Sequence, residues 1–324
     1  VSSLAIQSPW PERGDPMQRR QFLQASAITG VSVALDRPAP RRRPGAAEPF
    51  RLKYAPHFGM FENHAGKDEI AQLEFIADEG FRALEDNWMS RRPVEQQEKI
   101  AKAMERLGLE MGVFVASAEF GRVTFASNDE SVRAEIVQWM KDAVECAKRV
   151  NARWCTVVPG KFDPGLEPAY QTANVIENLK VASEVCEPSG LVMVLEALNP
   201  WRDHPGLFLT KIPQGYEICR AVGSPSCKLL DDLYHQQITE GNLIPNIDKA
   251  WDEIGYFQIG DNPGRKEPTT GEINYGNVFR HIASKGFQGI LGMEHGNARP
   301  GKEGERALID AYRACDAVVA SAGF

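Results

Sequence analysis

Four apolar runs in the second half of the chain each end in side chains able to bind a metal or move a proton. Leu191–Pro200 reads Leu-Val-Met-Val-Leu-Glu-Ala-Leu-Asn-Pro and carries Glu196 at its tip. Cys227–His235 ends in Asp232 and His235, Ile254–Asp261 in Gln258 and Asp261, and Gly289–His295 in Glu294 and His295. Glu196, Asp232, Gln258 and Glu294 together are carboxylates plus one amide, an oxygen-only set suited to a hard divalent ion such as Mg²⁺ or Mn²⁺. Without an ion, carboxylates so close would repel, and some would take up protons. Each residue alone reads as a solvated loop carboxylate. Four in consecutive runs point to one shared site.

The runs themselves say how the site is held. Val192, Val194 and Glu196 share one face at period two, while Met193 and Leu195 share the other. Apolar residues on both faces mark a strand buried on both sides, the habit of parallel sheets under helices. Parallel α/β folds carry their chemistry at the C-terminal tips of such strands. Adjacent strand residues face opposite sides. Asp232, sharing a face with Leu230 and Tyr234, is therefore expected at the metal. Asp231 is expected to point toward the helices, where an unpaired carboxylate is costly.

His57, His235 and His295 also fall at strand ends, and His235, three residues after Asp232, is the best placed of them to touch substrate. His64, His204 and His281 fit structural positions in loops or helices. Arg265, in Asp261-Asn-Pro-Gly-Arg-Lys-Glu-Pro, is set to hold a substrate carboxylate or hydroxyl. Lys161 reads either as a second such anchor or as a solvated surface lysine. Glu85 reads either as a lining of the mouth or as half of an ordinary salt bridge.

From Phe50 onward strand-like and helix-like segments alternate without a break. Leu52–Phe58 precedes a helix over Lys67–Glu79, Ala83–Asn87 precedes Val94–Leu107, and Glu110–Ser117 precedes Ser131–Val150. Arg153–Pro159 precedes Tyr170–Cys186, and the Glu196 strand precedes Ile212–Val222, with Gly223 as its C-cap. Helices around Pro245–Asp252, over Asn277–Lys285 and over Glu303–Ala320 follow the last three strands. Eight strand–helix units predict an α/β fold, a single (β/α)8 TIM barrel over residues 51–324. Long Gly-, Pro- and charge-rich loops all follow strands, on the face where a barrel keeps its lids and binding walls.

Residues 1–50 differ, being dense in Pro and Arg with no sustained periodicity. Arg19, Arg20, Phe22 and Leu23, followed by a short, mostly apolar run over 25–35, resemble a twin-arginine export signal. That run is shorter than the roughly 20 residues a membrane-spanning helix needs. The expectation is a leader and linker over 1–50, recognition by the twin-arginine machinery, a periplasmic or exported location and no stable membrane insertion; a cytoplasmic protein with a basic leader is the alternative. A net charge of -7 argues against nucleic acid as a partner. The six cysteines lack Cys-x-x-Cys spacing and read as small buried hydrophobes, with no disulfide framework and no structural zinc.

Several stretches together resemble the hydroxypyruvate isomerase family, within the xylose-isomerase-like barrels that include ketose 3-epimerases. They are Leu195-Glu-Ala-Leu-Asn-Pro200, Asp232-Leu-Tyr-His-Gln-Gln237 with Gly241-Asn-Leu243, and Gln258-Ile through Arg265-Lys-Glu-Pro268. Gly271-Glu-Ile-Asn-Tyr275 and Met293-Glu-His295 complete them. The resemblance implies that Glu196 and Glu294 exchange the substrate proton, while Glu196, Asp232, Gln258 and Glu294 hold one divalent metal. The implied reaction interconverts hydroxypyruvate and tartronate semialdehyde through an enediolate, with a small hydroxy-keto acid or sugar as substrate. Asp231, where an apolar residue is expected, departs from the pattern. Two rival readings are a ketose 3-epimerase or related sugar isomerase, needing room for a longer polyol and no carboxylate clamp, and a non-catalytic exported sugar-acid binding protein. A homo-oligomer is compatible with each.

Overall fold

A computed structural model of the chain describes residues 45–320. The paired arginines Arg19 and Arg20, and with them residues 1–44 of the expected leader and linker, lie outside the described residues; Phe50, at its far end, is buried. The described strands are β1 (Lys53–Ala55), β2 (Ala83–Leu84), β3 (Glu110–Met111), β4 (Val115–Ala118), β5 (Trp154–Val158), β6 (Val192–Glu196), β7 (Cys227–Asp232), β8 (Ile254–Gln258) and β9 (Ile290–Gly292). The α-helices are α1 (Glu62–Ala65), α2 (Glu69–Asp78), α3 (Val94–Leu107), α4 (Glu130–Val150), α5 (Pro168–Cys186), α6 (Ile212–Val222), α7 (Leu233–Thr239), α8 (Leu243–Ala250), α9 (Tyr275–Ser284) and α10 (Gly301–Ala320). Helices α3 and α6 stop where the sequence says they must, at Gly108 and Gly223, both in the left-handed conformation that glycine takes without strain.

Seven strands form one parallel sheet in the order β1-β9-β8-β7-β6-β5-β4, curled into an α/β TIM barrel. The expected closed ring of eight strands is corrected in one place. The strand read over Glu110–Ser117 breaks into β3 and β4, and β2 pairs only with β3 in a separate two-stranded piece. Gly112 sits in the break because a Cβ there would come within 2.4 Å of the Tyr256 hydroxyl. Single links bridge the gap: a His57–Glu85 bridge, the Glu85 N–H donating to the Pro56 carbonyl at 2.9 Å, and the Val115 N–H donating to the Asn87 carbonyl at 3.2 Å.

Period two decides what lies inside. Trp154, Val194, Leu230, Tyr256 and Ile290 meet one another in a small apolar cluster that plugs the barrel. Their strand neighbours Cys155, Met193, Leu229, Phe257 and Leu291 join the large core beneath the helices. The next inward position along each strand, two residues further on, is Thr156, Glu196, Asp232, Gln258 and Gly292 in turn. The apolar plug is thus the floor on which the polar site stands. All six cysteines are buried.

Helix α7 has no counterpart among the helices expected from periodicity. The stretch Leu229–Tyr234 passes from strand to helix directly after Asp231-Asp232, with no glycine, proline or loop to mark the turn. The Asp232 carboxylate caps α7 by accepting from the Tyr234 and His235 amides at 2.8 and 3.2 Å, an arrangement worth about 0.5–2 kcal/mol at helix starts in general.

Candidate active site

Asp232 links every part of the site. Its Oδ1 is committed to the two α7 amides, and its Oδ2 accepts from Arg265 Nη2 at 3.0 Å. Because α7 begins here, His235 stands in the first helical turn rather than on a loop, with Nε2 3.6 Å from Asp232 Oδ2 and 3.9 Å from Glu196 Oε1. Its other nitrogen settles the tautomer. Asn199 donates to Nδ1 from its backbone N–H at 3.2 Å and from its side-chain amide at 2.6 Å. Asn199 Oδ1 in turn accepts the Arg202 and Asp203 amides, which fixes which end of the Asn199 side chain carries hydrogens. Nδ1 is therefore the acceptor, and the neutral ring carries its proton on Nε2. Burial drives the ring toward that neutral form, with a pKa lowered to about 4.

Glu196, Asp232 and His235 bring one potential ligand atom each to within 4.8 Å of one another, a possible metal group. The tautomer argues that His235 enters as a donor. Its buried Nε2 has no hydrogen-bond partner, so an acceptor such as a substrate oxygen would complete it. Gln258 presents the complementary case: its Nε2 donates to Glu294 Oε2 and, at 2.8 Å, to Glu85 Oε1, while its buried Oε1 has no partner. Unpartnered oxygen beside crowded carboxylates is the chemistry of a hard-cation site, so the expected set of Glu196, Asp232, Gln258 and Glu294 fits a divalent ion.

The electrostatics agree. Burial, then the charges of Glu294 and Asp232, holds the Glu196 carboxyl well above the usual range. Burial also raises Glu294, against the opposing pull of Arg265. Arg265 spends its charge on this cluster: besides Asp232 it reaches Glu294 Oε1 at 3.6 Å, its Nε donates to the Glu294 carbonyl, and its guanidinium lies over the Tyr234 ring.

Two cavities of about 510 Å³ each open here and share Asn87, Trp88, Arg265 and Glu294. One is lined by His57, Glu85, Asp86, Arg92 and His295, the other by Val115, Phe120, Thr156, Glu196, His204 and His235 among others. Several sequence expectations change in detail. Lys161 lines neither cavity; its backbone N–H donates to the Arg122 carbonyl and it bridges Leu207. His57 reaches the wall, but both its ring nitrogens lie against backbone carbonyls, of Phe58 at 2.8 Å and His295 at 3.1 Å. A neutral ring donates to one of these two carbonyls only, so one ring nitrogen is held by backbone. Glu85, open between a lining of the mouth and half of a salt bridge, lines one of the two cavities while being itself buried. His204, read as structural, stacks on Phe120 and faces the His235 ring at the cavity wall. His295 donates to or accepts from the Tyr312 hydroxyl at 2.8 Å, behind the site. Asp261 ties down its own loop by accepting the Gly271 and Ile273 amides. Asp231, as expected, faces away from the barrel interior; it is fully buried with neither oxygen partnered.

Sequence patterns do not mark Asn87 and Asn199 as site residues, yet both belong to it. Asn87 donates to Glu294 Oε1 at 3.2 Å. Asn199 is visible in the sequence as the polar residue just beyond the Glu196 tip, but nothing there shows that it orients a histidine from another strand.

A site of inward carboxylates at the strand tips of a curled parallel sheet defines a class, and comparison with known proteins gives the same class. Residues 73–315 match the family model described as xylose isomerase-like TIM barrel, so the chain belongs to that family. It is 29% identical to hydroxypyruvate isomerase of Escherichia coli (strain K12), over 76% of this chain and 94% of that protein. It is 30% identical to 2-oxo-tetronate isomerase of Cupriavidus necator, over 73% of this chain and 89% of that one. Relatives of this kind make the protein an isomerase. Among solved structures, one described as AP endonuclease, family 2 from Brucella melitensis superposes with a TM-score of 0.70 at 25% identity, covering 81% of this chain and 99% of that chain. An L-ribulose 3-epimerase structure, with a TM-score of 0.65 at 20% identity over 83% of this chain and 95% of its own, shares the fold.

Proposed function

We propose that the protein interconverts the α-hydroxyketone and α-hydroxyaldehyde forms of a small oxo acid, hydroxypyruvate and tartronate semialdehyde being the type pair, with Glu196 and Glu294 exchanging the carbon-bound proton. The observation that carries this reading is that both carboxyls wall one cavity and both are held above the ordinary range by burial. A carboxyl shifted upward in this way holds a proton more readily than a solvated one, as acid–base exchange with carbon requires. One Glu removes the proton from the hydroxyl-bearing carbon, and the other delivers a proton to the former carbonyl carbon. His235 donates from Nε2 to a substrate oxygen, and Arg265 keeps Asp232 and Glu294 in place while presenting positive charge to the cavity. A divalent ion held by Glu196, Asp232, Gln258 and Glu294 would supply carbonyl polarisation and stabilise the enediolate's charge.

A second reading, an isomerase or 3-epimerase acting on a longer polyol, draws support from the two joined cavities, which are spacious for a three-carbon acid. Val115, Ala118, Phe120, Val158 and Leu198 give one of them an apolar wall. The likeness to an endonuclease structure carries less weight, since a net charge of -7 suits small anions with a metal better than a phosphate backbone. Export by the twin-arginine route belongs to the proposal too, from Arg19 and Arg20 and the apolar run after them; unchanged export of an Arg19→Lys, Arg20→Lys variant would count against it.

The test is turnover by the full chain with Mg²⁺ or Mn²⁺, against hydroxypyruvate, a four-carbon 2-oxo acid and a ketose panel. Metal-dependent interconversion of an oxo acid supports the first reading, and of a ketose alone the second. Ligand binding with no turnover of any of them would favour a binding protein.

A further inference from the structure

Glu85 is a buried carboxylate that the proton transfer does not use. It lies across the barrel from the helix α7 side of the site, at the end of β2, in the half of the wall where strand pairing is broken. Its environment is nonetheless closely built. Oε2 accepts from the Tyr256 hydroxyl at 2.8 Å, and Oε1 accepts from Gln258 Nε2 at 2.8 Å. Two glycines make the space: a Cβ on Gly112 would lie 2.4 Å from the Tyr256 hydroxyl, and a Cβ on Gly292 only 1.7 Å from Glu85 Oε2.

We propose that Glu85 is a positioning residue that orients the Gln258 amide so that its oxygen, not its nitrogen, faces the metal. A glutamine side chain has an acceptor end and a donor end, and it binds a hard cation only through oxygen. Nothing in the shape of the amide chooses between the two ends. Glu85 chooses: its Oε1 accepts a hydrogen bond, so the NH2 group turns to it, and the opposite end, Oε1 of Gln258, is left buried and unpartnered. Glu294 Oε2 accepts from the same NH2 and reinforces the choice. The Tyr256 hydroxyl anchors the far oxygen of Glu85, so the acceptor cannot swing away. Ligand side chains elsewhere are held by such outer partners, and losing one typically costs about 10–100-fold in metal affinity.

This inference rests on the proposed metal site, and Mn²⁺ titration calorimetry on the full chain tests the two separately. Glu85→Leu, which removes the acceptor, should weaken Mn²⁺ binding by roughly 10–100-fold. Glu85→Gln still offers Gln258 an amide oxygen and should keep most of the affinity, a rescue that a role through negative charge would not produce. Adding Glu85→Leu to Gln258→Leu should cost nothing further, because Glu85 acts through Gln258. Thermal unfolding without metal accompanies each variant, and Glu85→Met, equally without an acceptor, replaces Glu85→Leu should that variant not fold. Parent-like binding by the acceptor-less variant, equal losses for Glu85→Gln and Glu85→Leu, or additive losses in the double variant would each overturn the role of Glu85 alone. A parent protein that binds no Mn²⁺ would overturn the metal site and this inference together.

Discussion

From β4 round through β9 to β1 every strand is laddered to its neighbour, with register shifts only between β4 and β5 and between β7 and β8. Between β1 and β4 the wall is a two-stranded piece held by isolated links. The two regions divide the work. Glu196, Asp232 and Gln258 sit at the ends of the laddered strands, and Glu294 follows shortly after the last of them, so continuous backbone pairing sets their spacing. Asn87, Trp88 and Phe120 come from the chain after β2 and β4, and they line space rather than converge on a point. The difference teaches that, on the proposed mechanism, laddered backbone sets the geometry of the proton-transfer pair, whereas the broken side supplies cavity wall. Glu85 and Asn87 join them, reaching from the broken side to Gln258 and Glu294 on the laddered side.

The largest effect should come from the laddered side. Glu196→Gln and Glu294→Gln should each lower kcat by roughly 10²–10⁴-fold, the range for losing a general acid or base. Steady-state kinetics at saturating metal measure this, with a metal titration to separate lost ligation from lost proton transfer. Robust turnover by either variant would remove that residue from the pair.

Next in size is a comparison within one strand. Asp232→Asn should weaken metal binding, while Asp231→Leu, similar in shape, should leave it intact and raise stability by about 1–3 kcal/mol, the usual penalty of a buried group with no partner. Denaturant unfolding and calorimetry on both variants decide it. Equal losses of metal binding would mean that the two aspartates do not face opposite sides.

Much of this architecture is legible in the amino-acid sequence. The helices at Val94–Leu107 and Ile212–Val222 end where glycine tells them to, and inward positions can be counted along β6, β7 and β8 by period two. The features that sequence does not reveal have physical reasons for staying hidden. Helix α7 follows β7 directly after Asp231-Asp232, with no glycine, proline or loop between them, so the sequence reads as one strand-like stretch; only the capping role of Asp232 marks the helix start. The need for glycine at position 112, in the break, comes from the hydroxyl of Tyr256, 144 positions away in the chain. Lys161, open between anchor and surface, falls outside both cavities, and His204, read as structural, lines one, because loop residues carry no periodicity from which a direction could be read.

A smaller effect appears with pH, and its sign separates two kinds of buried group. Burial lowers His235 to about 4 and His295 to about 3, below the ordinary 6.5. The unfolded chain therefore binds more protons than the folded one below pH 6.5, and stability should fall as pH drops from there toward 4 and below. Glu85 and Glu196 act in the opposite sense, because burial raises them. Their contribution in the metal-free protein is full below the ordinary carboxylate pKa of 4.5 and is lost as pH rises through their raised values. Metal needs the ionised carboxylates, so Mn²⁺ should stabilise the protein more at pH 8 than at pH 5, with proton release on binding. Unfolding curves at both pH values check this; an equal gain at each would mean that the carboxylates are already ionised without metal.

The smallest effect belongs to the broken side. Phe120→Ala, which removes the stacking partner of His204, should shift KM severalfold at most and leave kcat near the parent value. A large loss of kcat would show that this wall also sets the chemistry, and the contrast between the two sides would fail.

The central claim is proton exchange at carbon by Glu196 and Glu294, and proton NMR of hydroxypyruvate in D2O with enzyme and a divalent metal reads it directly. Deuterium should enter the hydroxyl-bearing carbon at a rate set by enzyme concentration, and Glu196→Gln and Glu294→Gln should each suppress it. Hydroxypyruvate that binds yet shows no exchange with the parent protein, or exchange that continues undiminished in both variants, would contradict the account.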